Sequence, residues 1–209
     1  MSSQVTTAGA SVWGGGHSPY ATNSKKFGMW LFIASDSLTF SALLFAYTFS
    51  RVANPNWPRP FHFSPSIIFS TVMTFCLLSS SLTMVMAVHA MNHGARKKAA
   101  AWILATMGCG GAFVALHLTE WLNLIRNEHV TPFSNPWGVP LFGGTFFALT
   151  GLHMTHVLIG IIYLGIIAQA VVRGKFKAED VEVGGLYWHF VDLVWMFIFP
   201  LVYLMSVSA

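Results

Sequence analysis

Five long apolar runs dominate the chain, at about 27–50, 65–91, 99–125, 139–172 and 184–207. About 20 mostly apolar residues cross the roughly 30 Å hydrocarbon layer of a bilayer as a helix, so each run predicts one transmembrane span. The fourth run is too long for a perpendicular helix and predicts tilt or protrusion. Between the first two runs stand Asn54, Pro55, Asn56, Trp57, Pro58 and Pro60, which cannot continue a helix. Between the third and fourth stand Pro132, Asn135, Pro136 and Pro140. The other two connections, 92–98 and 173–183, are short and basic. No strand-like alternation competes. The predicted fold class is therefore all-α, an integral membrane bundle of five transmembrane helices.

Composition agrees, with 55% hydrophobic and 9% charged residues, against about 25% charged in soluble domains. Residues 1–24 are rich in Gly, Ser, Thr and Ala and predict a flexible cytoplasmic tail without a signal peptide, so the first span serves as its own insertion signal. Residues 25–209 form one membrane domain. Cys76 and Cys109 lie in apolar runs without metal or redox spacing and are expected to be buried small hydrophobes. The net charge of +4 comes from scattered loop residues, so no nucleic-acid partner is expected. Lys25, Lys26, Arg96, Lys97, Lys98, Arg173, Lys175 and Lys177 fall on one side, and only Arg51, Arg59 and Arg126 on the other. The positive-inside rule then puts the amino terminus in the cytoplasm. Trp30, Trp57, Trp102, Trp121 and Trp137 lie near span ends, where amphipathic rings favour the headgroup zone.

Ionisable groups inside spans are the candidate chemistry. A carboxylate at the centre of a lone span costs on the order of 3 kcal/mol, so these groups are expected to face protein, water or headgroups. Asp36 lies about nine residues into the first span, roughly 14 Å along a helix. His117 and Glu120, and His189 and Asp192, are spaced i,i+3, which puts each pair on one helix face within hydrogen-bonding reach. His153 and His156 share a face in the same way and, with Asp36, predict a polar seam through the bundle. The leading reading is that the seam ties helices together and holds lipid headgroups. A proton route comes second. Haem or metal ligation comes last, because only His153 and His156 lie deep and two histidines three apart on one helix suit haem poorly. Ser70, Thr74 and Ser81, and Gly108, Gly110, Gly111, Gly143, Gly144, Gly151, Gly160 and Gly165, read as close helix-packing positions.

The run Gly185-Leu186-Tyr187-Trp188-His189-Phe190-Val191-Asp192-Leu193-Val194-Trp195 closely resembles the last span of haem–copper oxidase subunit III. Residues 150–160, TGLHMTHVLIG, are similar to that family's TGxHxxHVxxG segment, and 27–45, FGMWLFIASDSLTFSALLF, to its LGMWLFLxSE span. His117-Leu118-Thr119-Glu120-Trp121 stands where the family has an acid followed by an aromatic. The matches keep their order across roughly 25–207.

The resemblance implies a non-catalytic subunit that flanks subunit I, binds no haem or copper, holds phospholipid and supports proton uptake. The oxidase it would belong to, of the cytochrome c oxidase type, reduces O2 to water, pumps protons and lies in a bacterial plasma membrane. Implied partners are subunit I directly, subunit II and a small subunit IV, with haem and copper held by partner subunits. By position, Asp36 matches the family's embedded acid. Glu120, His153, His156, His189 and Asp192, with Trp188 and Trp195, match its polar seam. His89, His93 and His189 lie toward the cytoplasmic side as candidate proton collectors. Two features depart from the family's long form. Only the last five of its seven spans are matched, and Asp36 replaces a Glu, as in the quinol-oxidase branch. Quinol oxidase subunit III, an accessory subunit of nitric-oxide reductase and a membrane b-type cytochrome remain the alternatives, with a secondary transporter behind them.

Overall fold

The computed structural model describes residues 24–61 and 67–206. The tail of 1–23, the first two residues of the run 65–91 and the end of the run 184–207 lie outside the described residues. Five helices appear in order: α1 Ser24–Ala53, α2 Ile68–Asn92, α3 Arg96–Asn127, α4 Pro140–Val172 and α5 Ala178–Ile198. A π turn, Phe199–Tyr203, and a 3-10 turn, Leu204–Ser206, carry α5 onward. No strand occurs among the described residues. Each of the five helices is long and apolar enough to cross a membrane. Only helices and closed barrels can do so, because no water is present to satisfy free backbone groups.

The helices outrun the apolar runs. α3 begins at Arg96 rather than near 99, and α5 at Ala178 rather than 184, so the two basic connections shrink to residues 93–95 and 173–177. A helix can continue past the hydrocarbon layer once water takes over its polar side chains, and hydropathy does not mark that continuation. Both connections close by the same device. Gly94 and Gly174 adopt φ of +74° and +71°, in the left-handed region that favours glycine. Their N–H groups donate to Met91 and Val171, and the next residues' N–H groups to Ala90 and Ala170. α5 then starts with the Asp180 carboxylate accepting the Lys177 N–H at 2.9 Å, and Glu179 and Asp180 complement the positive end of the helix dipole. At the other end of the bundle Pro140 opens α4, and the Asn135 side-chain oxygen accepts from the N–H groups of Trp137 and Val139.

α2 packs along α3, α3 along α4, and both α2 and α4 against α5. α1 stands at the side, with substantial contact only to α4 and α5. It is fastened at both ends. Lys25 and Lys26 pair with Asp180 and Glu182 of α5. Arg51 donates to the carbonyls of Leu201 and Met205 and to the Ser206 hydroxyl, capping the last turn of the α5 extension. Tyr47 and Ser206 share a hydrogen bond at 3.2 Å.

The Trp188 indole is the centrepiece of the packing. A Cβ on Gly110 would come within 2.6 Å of it and one on Gly160 within 2.9 Å, so α3 and α4 give up side chains to admit that ring. Gly143 meets the Thr131 carbonyl, Gly151 the Trp121 ring and Gly165 the Met107 methyl in the same spirit. Gly108 and Gly111 depart from the packing expectation, since a Cβ on either meets nothing within 4 Å. Cys76 and Cys109 are free and half-buried rather than fully buried. Trp30, Trp102 and Trp137 are exposed near helix ends, as an interfacial role requires. Trp57 and Trp121 instead turn inward, Trp57 between Tyr47 and Phe142 and Trp121 beside His117 and Phe147.

Candidate functional site

The polar residues of the spans do not form one seam; the helices sort them into separate groups. Glu120 of α3 is buried, 7% exposed. It accepts a hydrogen bond from Ser70 of α2 at 3.0 Å and one from the Tyr203 hydroxyl in the π turn at 2.8 Å. His117, its i,i+3 neighbour, stands 3.7 Å from the carboxylate, too far for a hydrogen bond. The expected His117–Glu120 bond is therefore replaced by bonds that join three segments far apart in sequence.

His117 and His153 are wholly buried on α3 and α4. Their partners are rings. His117 stacks on Phe113 with centroids 5.6 Å apart, and His153 stacks on Trp195 at 5.1 Å. Neither imidazole makes a protein hydrogen bond, at a cost of about 1–3 kcal/mol for each unsatisfied group.

Asp36 and His156 form a second group, where α1 crosses α4. The His156 Nε2 lies 3.2 Å from the carboxylate, though off the axis of a hydrogen bond, and Nδ1 donates to the Leu152 carbonyl at 2.8 Å. The Tyr187 hydroxyl donates to the His156 carbonyl at 2.9 Å, which brings α5 to the same place. Both Asp36 and His156 keep partly exposed side chains, 15% and 13%, whereas His153 is sealed in. Asp36 thus joins one of the two α4 histidines and not the other.

The third group lies on α5. His189 was expected to bond Asp192, but its Nδ1 instead pairs with the Ser81 hydroxyl of α2 at 2.6 Å. Asp192 is buried beside them. Trp188 donates to Ser80 at 2.8 Å and Trp195 to Thr74 at 3.0 Å, so each indole N–H ties α5 to α2. The hydroxyls of Ser70, Thr74 and Ser81 thus serve as tertiary hydrogen-bond partners besides packing closely.

His89 and His93 are exposed at the Lys25 end of the bundle, their rings 4.3 Å apart. His89 and His189 line an open cleft of about 490 Å³ between α1, α2 and α5, together with Lys26, Trp30, Asn92 and Glu182. Among the described residues no three His, Cys, Asp or Glu side chains converge as a metal site.

The arrangement carries no nucleophile–base pair aimed into a cleft. What it does carry is a set of interhelical ties, and a family model for "Cytochrome c oxidase subunit III" matches residues 5–207. The chain belongs to that family. It is accordingly a haem–copper oxidase subunit III, a multi-pass membrane component of an oxidoreductase complex. It is 36% identical over 187 residues to quinol oxidase subunit 3 of Bacillus spizizenii, covering 87% of each chain. It is 32% identical to cytochrome c oxidase subunit 3 of Bacillus sp. strain PS3, over 88% of this chain and 86% of that one. Against cytochrome c oxidase subunit 3 of the fish Formosania lacustris it is 33% identical, over 90% of this chain and 72% of the longer fish protein.

For this subunit III, sequence reasoning missed Tyr203, Tyr47, Tyr187, Ser80 and Arg51. One signal was available for the tyrosines. A phenol within a span must find an acceptor, since hydrocarbon offers none.

Proposed function

We propose that the chain is a scaffold within a terminal oxidase that reduces O2 to water and pumps protons, with haem and copper held by partner subunits. Glu120, His117, His153, Asp192, Trp188 and Trp195 are buried among this chain's own helices, where they brace the bundle rather than face a substrate. That observation carries the reading. The rigid bundle would rest directly on subunit I, alongside subunit II and a small subunit IV, in a bacterial plasma membrane with the amino terminus in the cytoplasm. Asp36 and His156 keep side chains partly open, which supports a lipid headgroup or partner contact at the α1–α4 crossing, while His189 opens onto the cleft. The remainder of the seam supports helix bracing rather than lipid binding. His89, His93 and His189 are the proposed proton collectors, His89 and His189 meeting in the cleft at the basic end.

Deleting the chain tests the scaffold reading. The remaining oxidase should start at a comparable rate and inactivate sooner during turnover. Loss of haem–copper chemistry from a subunit I that is still assembled and loaded would sink it. A mild-detergent purification with an optical spectrum separates the rivals. A Soret band belonging to the isolated chain would favour a b-type cytochrome, and an iron-containing rather than copper-containing partner would favour a nitric-oxide reductase.

A second reading concerns the electron donor. The family resemblance links Asp at position 36 to the quinol-oxidase branch, and the identity is 36% to a quinol oxidase subunit 3 against 32% to a cytochrome c oxidase subunit 3. Turnover of the purified complex with quinol but not with reduced cytochrome c would establish it.

A further inference from the structure

We infer that His89 and His93 form a bidentate site for an exchangeable divalent transition metal at the basic end of the bundle. The two histidines are spaced i,i+4 across the last turn of α2, which places them on one face. The turn at Gly94 ends the helix directly afterwards, so the pair stands at its rim and both residues are exposed. Their rings approach to 4.3 Å between centroids, with a tilt of 40°.

The second observation fixes a tautomer. The His93 Nδ1 lies 2.9 Å from the His89 carbonyl, which can only accept, so Nδ1 carries the proton. In the neutral ring the Nε2 lone pair is then left free. A backbone carbonyl holding the far ring nitrogen is the arrangement that metal-ligating histidines commonly use to fix ring orientation and raise basicity. The carbonyl belongs to the other histidine of the pair, so the last turn of α2 orients the His93 ring beside that of His89.

The surroundings determine what kind of site this is. His189 lines the neighbouring cleft, but among the described residues no third His, Cys, Asp or Glu side chain converges with the pair. Glu182 is paired with Lys26, which also offsets the cation nearest the cleft. Among the described residues the two imidazoles therefore act as a pair, and solvent completes the coordination shell. Structural zinc sites close with four protein ligands, whereas a two-ligand site stays open and exchanges its metal. Imidazole donors suit Zn²⁺, Cu²⁺ and Ni²⁺ rather than Mg²⁺ or Ca²⁺. The site's occupancy does not depend on the scaffold reading.

The test is Zn²⁺ binding by equilibrium dialysis of the whole purified complex. The wild type should bind one Zn²⁺ more than either the His89→Gln or the His93→Gln complex at a concentration that fills the site. Each single variant should weaken that step by about tenfold or more, since removing a ligand costs at least as much as removing its outer-shell partner. The complex with His129→Gln, a control histidine in the loop after α3, should bind as the wild type does. Equal binding by all four complexes, or loss in only one of the two pair variants, overturns the inference. A measurement on the unmodified complex stands beside it. Zn²⁺ should shield both His89 and His93 from diethyl pyrocarbonate, read by peptide mass spectrometry, while Mg²⁺ should not. Absence of shielding by Zn²⁺ would equally overturn it.

Discussion

Replacing Tyr203 by Phe removes one hydroxyl, and with it the 2.8 Å hydrogen bond to Glu120, while leaving the ring packed against Phe61 and Phe146. Hydrogen bonds between membrane helices average about 0.6 kcal/mol and reach about 1.7 kcal/mol, because the loosened chain also finds partners within the bilayer. Bonds to a charged acceptor in general run about 1.5–3 kcal/mol. Tyr203 and Glu120 are both buried, and Ser70 supplies the carboxylate with a second donor. A loss of about 1–2 kcal/mol follows, or roughly 5- to 30-fold in the equilibrium between packed and released chain. The assay is a denaturing-detergent titration of the solubilised complex that follows release of this subunit. It is run for wild type, Tyr203→Phe, Glu120→Leu and the double variant. In the Glu120→Leu background the Tyr203→Phe change should cost close to nothing, since its partner is gone. An equal cost in both backgrounds would show that the phenol acts through something other than Glu120.

Three further outcomes are expected. Gly160→Leu forces a side chain into the Trp188 ring and should destabilise by at least about 1–3 kcal/mol or block assembly, whereas Gly111→Ala, with open space around it, should stay within about 0.5 kcal/mol of wild type; the same titration compares them. Arg51→Met strips the donors from the Leu201 and Met205 carbonyls and should cost about 1 kcal/mol, read as faster hydrogen exchange over 201–206, while an unaltered exchange pattern would mean the cap is idle. Gln in place of His89, His93 or His189 should slow proton uptake by the turning-over complex, and unchanged uptake in all three removes the proton-collecting role.

Much of the architecture was legible along the chain. Hydrocarbon about 30 Å thick demands about 20 apolar residues and internally satisfied backbone, so five spans and an all-α bundle follow from hydropathy alone. The family was legible too, in runs such as 185–195 that combine an indole, an imidazole and a carboxylate inside a span. Helix limits were less so. Arg96 and Ala178 start helices several residues ahead of the apolar runs, because a helix can persist beyond the hydrocarbon layer with its polar side chains in water.

The candidate site divides along the same line. The sequence grouped Asp36 with His153 and His156 and kept the span acids off hydrocarbon; the structure puts Asp36 beside His156 and encloses Glu120, His153 and Asp192. Sequence spacing assigned the wrong partners to Glu120 and His189, because an i,i+3 rule knows only neighbours on one helix. Ser70, Tyr203 and Ser81 reach those groups from positions 50, 83 and 108 residues away. Which of two equally spaced imidazoles meets Asp36, and which is enclosed by Phe113 and Trp195, depends on how α1 and α5 lie against α4. Local composition settles what a segment must bury from lipid. Only the packing of helices remote in sequence decides which polar atom then satisfies which.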